Sequence, residues 1–262
     1  MIDTTSTSSF DTEGGSGKKA LIDFFLAAGI PRFMPCEFGH DSLNPGIQGR
    51  LPVYRERARV VEYLQQLVSS SFSDNGGREK FTWCAVACGV ILDRGISSKN
   101  LGFDLAWRNA SMHGSGDERF AASSSAWIGR VLCGVVEHWD DRGVRNQYLR
   151  AAESVTTANE VLRALESAMS NDGRPWTAER GDVEVCVREA EKRIERGFPD
   201  AGMFLLERSV LYDESLNAVE AFEREDANGV LGLKREGLEG TVREVVREYR
   251  DDGGGKAGCG CD

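Results

Sequence analysis

The sequence has no apolar run long enough to cross a membrane. Its longest stretches, such as CAVACGVIL at 84–92, fall far short of the ~20 residues a spanning helix needs. The first residues also lack the apolar core of a signal peptide, so a cytoplasmic protein is expected. Basic charge is in deficit: 32 Lys and Arg stand against 42 Asp and Glu, a formal charge of −10. No basic face offsets this against a phosphate backbone, which argues against nucleic acid as a direct partner. The seven cysteines are an odd, scattered set, and Cys84, Cys88, Cys133 and Cys186 lie in apolar or periodic segments. There thiols behave as small hydrophobes, as fits a reducing compartment. Cys259 and Cys261, in the CGC of the tail, fall short of the four ligands a metal site usually needs, and no metal is expected.

Also missing is a phosphate-binding turn. A dinucleotide site needs glycines between an apolar strand and a helix N-terminus, whose amides and dipole hold the pyrophosphate. The only early glycines, Gly14, Gly15 and Gly17, follow SSFDTE rather than a strand. Nor does a charged residue about twenty positions onward follow a second strand to read the ribose. GGSG is therefore rejected as a fingerprint.

What is present reads as an α/β chain long enough to bury a substantial core. Residues 1–17 and 251–262 have little to bury and are expected to be mobile. From Lys18, Leu21, Phe24, Phe25 and Ala28 recur at helical spacing, and Gly29 supplies the stop. IPRFMP follows as a short buried strand. A second helix is expected over about 53–68, with Val60, Val61, Leu64 and Val68 on one face, and then FTWCAVACGVIL as a strand covered on both faces. WIGRVLCGVVEHW, TTANEVLRALESAM, DVEVCVREAEKRIERG and TVREVVREY read as helices and QYLRAAES as a strand. Thr157 and Glu160 have capping-box spacing. Alternation of this kind predicts a mainly parallel sheet flanked by helices. The five tryptophans, Trp83, Trp107, Trp127, Trp139 and Trp176, are assigned to packing.

Taken together, LIDFFLAAGIPRF, PCEFG, TW with GVILDRG, GDERFAASSSAWIGR, RNQYLRAAESVTTANEVL and LEGTVREVV resemble, in order, the NmrA-like, isoflavone reductase-like branch of the atypical short-chain dehydrogenases, fungal members above all. The resemblance covers roughly residues 18–249. It implies a Rossmann-type domain binding NADP(H), with a smaller lobe closing over a cleft for a small, often aromatic substrate. Some relatives are non-catalytic regulators, and fold alone does not choose between these roles. Against that pattern roughly the first three or four strand-helix units of a doubly wound domain have no counterpart. The chain therefore reads as an N-terminally truncated member. Residues 18–160 correspond to the remaining part of an incomplete Rossmann-type parallel sheet and 161–250 to the smaller α/β lobe. Such a sheet exposes an edge through which the chain could self-associate.

Two groups of residues follow from the resemblance. The turn Pro35, Cys36, Glu37, Phe38 and Gly39 ends a strand where open α/β sheets bind ligands, and with Gly89 it is assigned to the cofactor side. Taken alone, the same turn is a strand end with Glu37 capping or solvated. The family's catalytic lysine, three and seven residues before aliphatic positions, matches Arg57 here, ahead of Val60 and Leu64. Guanidinium stays charged and can orient or polarise but not shuttle a proton, and with the glycine-rich cofactor segment missing as well, reductase activity is expected to be impaired. Taken alone, Arg57 is read as a salt-bridged arginine of a helix face before a catalytic group. His40 and Asp41 are expected at the surface, as are His113 and His138 unless structural; Phe198, Met203 and Phe204 are candidates for lining a substrate pocket.

Overall fold

The computed structural model describes residues 1–3, 16–71 and 81–254. Gly14, Gly15 and the tail cysteines lie outside the described residues. The helices are α1 (Ser16–Ala27), α2 (Pro45–Arg50), α3 (Pro52–Ser71), α4 (Leu92–Ser97), α5 (Ser125–Glu137), α6 (Ala158–Ala168), α7 (Val183–Glu195), α8 (Pro199–Val210), α9 (Glu220–Arg224) and α10 (Leu238–Asp251). The strands are β1 (Arg32–Phe33), β2 (Thr82–Ala87), β3 (Val90–Ile91), β4 (Phe103–Asp104), β5 (Asn109–His113), β6 (Arg119–Ser123), β7 (Gln147–Arg150), β8 (Ser154–Thr157) and β9 (Thr177–Gly181).

β2 organises the first sheet. In the order β1-β2-β7 all pairs are parallel, with Phe33 opposite Trp83 and Val86 opposite Leu149. Successive side chains of a strand point to opposite faces, so a strand covered on both sides must be apolar throughout. Trp83 and Ala85 accordingly pack with Phe33, Ile22 of α1 and Val60, Val61 and Leu64 of α3. Cys84 and Val86 pack on the other side with Trp127, Val131 and Val135 of α5. This is the parallel, helix-flanked Rossmann-type sheet expected from the sequence.

The apolar run expected as one strand divides in two. Gly89 adopts φ +73, a conformation L side chains rarely take, and swings the chain into β3, which pairs parallel with β6 in a second sheet, β3-β6-β8. A third sheet, β4-β5-β9, joins the middle of the chain to residues 177–181. The Thr157–Glu160 capping box is formed, and Val161 and Leu165 are fully buried.

Three packing expectations are corrected. Met1–Asp3, assigned to a mobile segment, lie beside β1: Ile2 bridges Met34 in parallel, and the Asp3 N–H donates to the Met34 carbonyl at 2.8 Å. In α1 the buried position is Ile22, whereas Phe24 is 66% exposed, because α1 meets the sheet one position out of phase with the apolar count. Trp107, at the tip of the β4–β5 hairpin, is 78% exposed, while Trp83, Trp127 and Trp139 are buried.

A methyl added at Gly89 would overlap the Ala121 carbonyl, whereas one at Gly129 in α5 would meet nothing within 4 Å. Gly89→Ala is expected to lower the unfolding free energy by about 3 kcal/mol or more through strain and overlap. Gly129→Ala is expected to raise it by about 0.5–1 kcal/mol through helix propensity. Urea unfolding of the two variants checks both signs.

Candidate functional site

The carboxyl ends of β1, β2 and β7 converge. The Gly39 carbonyl accepts both the Cys88 N–H at 2.9 Å and the Gly89 N–H at 2.8 Å, which ties the turn after β1 to the end of β2. The Ala151 N–H then donates to the Ala87 carbonyl at 2.9 Å and brings in the end of β7. The structure thus brings together the 35–39 turn and Gly89. It explains Gly89 by its own packing: its amide is used by Gly39 and its α-carbon faces Ala121.

Arg57 joins them from α3. Its guanidinium lies 4.7 Å from the centroid of the Tyr54 ring, three residues earlier and so on the same helix face. A Cβ at Gly39 would overlap the Tyr54 hydroxyl and come 3.1 Å from Arg57 Nη1, so the turn approaches α3 closely only because residue 39 is glycine. Burial opposes the Arg57 charge, but Tyr54, Glu37, Cys36 and Tyr148 outweigh it and hold its pKa above the ordinary range. Arg57 is therefore a stacked, permanently cationic group facing the turn rather than part of a solvated helix face.

Glu37, His40 and Asp41 are buried, at 1%, 7% and 2% exposure, which corrects the solvated Glu37 and the surface His40 and Asp41. A turn that folds back under α3 has no outward side. Glu37 Oε2 accepts the Ser42 hydroxyl at 2.6 Å, and Ser42 Oγ lies 3.1 Å from Tyr148 Oη. Asp41 Oδ2 accepts from Arg150 Nε at 2.7 Å, and Arg150 Nη1 donates to Glu225 at 2.6 Å. The His40 N–H donates to the Tyr54 hydroxyl at 3.2 Å, with the two rings 5.7 Å apart. Cys36 is half-buried, and burial raises its thiol pKa. Phe38 packs against the Cys84–Trp127 side of the sheet.

Desolvation sets the electrostatics. It raises the Glu37 carboxyl to about 7 against the opposing pull of Arg57, and pushes the His40 imidazole down to about 4, with Arg57 acting in the same direction. The buried Tyr54 phenol is raised to about 12, and that of Tyr148 well above its usual range, the latter also by Glu37 and Asp41. At neutral pH the cluster therefore holds a fixed cation, a neutral imidazole, two protonated phenols and one carboxyl poised to titrate. Tyr54 was missed, although its spacing of three residues from Arg57 on one helix face was a signal that could have found it. Ser42, Tyr148 and Arg150 had no such signal, because their place depends on the β2–β7 register and the fold of the turn.

Among the described residues no group of three or more metal-ligating side chains forms, and no helix is long and apolar enough to cross a membrane. His113 packs edge-on against Tyr212, and His138 pairs with Asp141 at 3.0 Å near the end of α5. Phe198 and Phe204 are 63% and 44% exposed, and Met203 packs on the Ile47–Leu206 cluster. A cavity of about 690 Å³ lined by Arg119, Glu160, Arg163, Arg235 and Glu239 shares no residue with the strand-end cluster.

The two shifts predict a pH profile. The native state holds the Glu37 proton more tightly than the unfolded chain, so this contribution is present below about 4.5 and lost as pH rises through about 7. His40 behaves oppositely: its contribution is present above about 6.5 and lost as pH falls through about 4. Between about 4.5 and 6.5 the two oppose each other. In Glu37→Gln the His40 slope stands uncovered, and stability is expected to fall by up to ~3 kcal/mol as pH drops from 6.5 towards 4. Urea unfolding across this range measures it, and a profile as flat as that of the unsubstituted protein would exclude a buried neutral His40.

No family model matches the chain. Among curated proteins it is 28% identical over 241 residues to oxidoreductase poxI of Penicillium oxalicum, covering 89% of this chain and 72% of that protein. It is 32% identical over 181 residues to oxidoreductase aprR of Aspergillus flavus, covering 69% of this chain and 56% of that protein. It thus spans little more than half the length of aprR. Among solved structures it superposes on leucoanthocyanidin reductase of Vitis vinifera in its binary complex with NADPH, with a TM-score of 0.61 at 18% identity, over 94% of this chain and 77% of that one. Isoflavone reductase gives the same TM-score at 15% identity, over 94% and 74%. In fold the chain is like these reductase structures, and in sequence it is similar to the fungal oxidoreductases.

Proposed function

We propose that the chain derives from an NADP(H)-dependent reductase of a small organic substrate and that its own reductase activity is impaired. The observation that carries this reading is the convergence of the 35–39 turn, Arg57, Tyr54 and Tyr148 at the carboxyl ends of three parallel strands, where open α/β sheets place ligands. A solved relative with this fold is an NADPH complex, which supports the choice of cofactor.

The residues fit that cofactor only in part. The strand-end cluster offers polar groups for its reactive end. Among the described residues, however, no glycine-rich turn leads from a strand into a helix N-terminus to hold a pyrophosphate. When bound, the cofactor would supply hydride. The residues of this chain would orient an oxygen through Arg57, whose charge does not change, and hold protons on Tyr54 and Tyr148. A second reading, a non-catalytic regulator or protein-interaction module, draws on the same cluster, because its carboxylates are occupied by partners within the chain. On that reading light scattering should detect self-association or a complex.

Isothermal titration of the 262-residue chain with NADPH is expected to show no saturable heat up to about millimolar cofactor. Tight, stoichiometric binding would overturn the incompleteness of the cofactor site.

A further inference from the structure

Glu37, Ser42 and Tyr148 form a connected line of exchangeable protons through the strand-end cluster. The Ser42 backbone N–H donates to Tyr148 Oη at 2.8 Å, which leaves the phenolic proton free to point at Ser42 Oγ, 3.1 Å away. The Ser42 hydroxyl donates in turn to Glu37 Oε2 at 2.6 Å. The line runs from a fully buried carboxyl on the turn after β1 to a half-buried tyrosine on β7. Its Tyr148 end is fixed, because Tyr148 stacks under the Arg150 guanidinium at 5.1 Å and Arg150 is itself held by Asp41 and Glu225.

We propose that Glu37, relayed through Ser42 to Tyr148, is the proton-exchanging group of this site and replaces the proton-transfer capacity that Arg57 lacks. On protonation a proton enters from water at Tyr148 Oη as the phenolic proton moves to Ser42 Oγ and the Ser42 hydroxyl proton moves to Glu37 Oε2; deprotonation runs the same transfers in reverse. Each hydroxyl keeps one proton, the hydrogen bonds of the line change direction, and only Glu37 changes charge. The charged and titratable groups facing Glu37 are Arg57 from α3, Lys18 from α1 and Asp41 from its own turn, with Tyr148 facing it from β7. Arg57 and Lys18 favour the carboxylate, while burial and Asp41 favour the acid, so the group can exist in either state near neutrality. Glu37 and Ser42 are positioning residues here, acting on whatever meets Tyr148.

The inference deepens the reading of this cluster as an inherited reductase site, but its test needs neither cofactor nor turnover. NADPH titration and the measurement below can therefore fail separately. Infrared spectroscopy of the full chain is expected to show a protonated, buried carboxyl band at mildly acid pH that disappears on raising the pH and is missing in Glu37→Gln. Should that variant not fold, Glu37→Asp is expected to displace the band. After a rapid pH jump, the band should decay roughly tenfold more slowly in Ser42→Ala and in Tyr148→Phe, as one hydrogen-bonded step is lost. A purely structural role would shift the midpoint and leave the rate. The proposal is overturned if the band is absent at mildly acid pH or survives unshifted when Glu37 is replaced, and equally if both relay variants decay at the rate of the unsubstituted protein.

Discussion

One carbonyl, that of Gly39, accepts two backbone amides, and much of the site depends on this contact. By taking the N–H groups of both Cys88 and Gly89 it ends β2 abruptly and fastens the turn after β1 across its carboxyl end. The turn can come that close only because residue 39 has no side chain to meet the Tyr54 hydroxyl. Once the turn lies under α3, Glu37, His40 and Asp41 are carried out of water. The same contact positions Gly89 to redirect the chain into a second sheet, so a single backbone interaction both closes the site and divides the fold.

Burial then sets the chemistry. Removing a carboxyl, an imidazole and a guanidinium from water penalises all three charged forms, and each is resolved differently. Arg57 keeps its charge because phenols and acids surround it; His40 gives its charge up, because burial and Arg57 act together; Glu37 lies between, drawn to ionise by Arg57 and prevented by desolvation. A lysine at position 57 could have exchanged a proton itself. With arginine there, the protonatable group of the cluster is the carboxyl, and the hydroxyls of Ser42 and Tyr148 connect it outward.

The β1-α3-β2 succession was legible because an apolar stripe at helical spacing over 53–68 and an unbroken apolar run over 81–92 allow few other readings. The Thr157–Glu160 capping box was legible because its interactions are local. The phase of α1 was not, since Ile22 and Phe24 are equally apolar and only contact with the sheet selects one. Nor was the break at Gly89, because a glycine in an apolar run does not announce that Ala121 will lie against it.

The sequence by itself determined the α/β alternation, the parallel sheet with its two-sided core and the turn at 35–39. These follow from short-range periodicity and ordered motifs. Only the tertiary structure decided that Glu37, His40 and Asp41 are buried and that Tyr54, Ser42, Tyr148 and Arg150 complete their surroundings. Those residues span more than a hundred positions, and they meet only through strand register and the packing of α3 over the turn. A residue type at a turn states what chemistry is possible; the desolvation that tunes it is a property of the assembled fold.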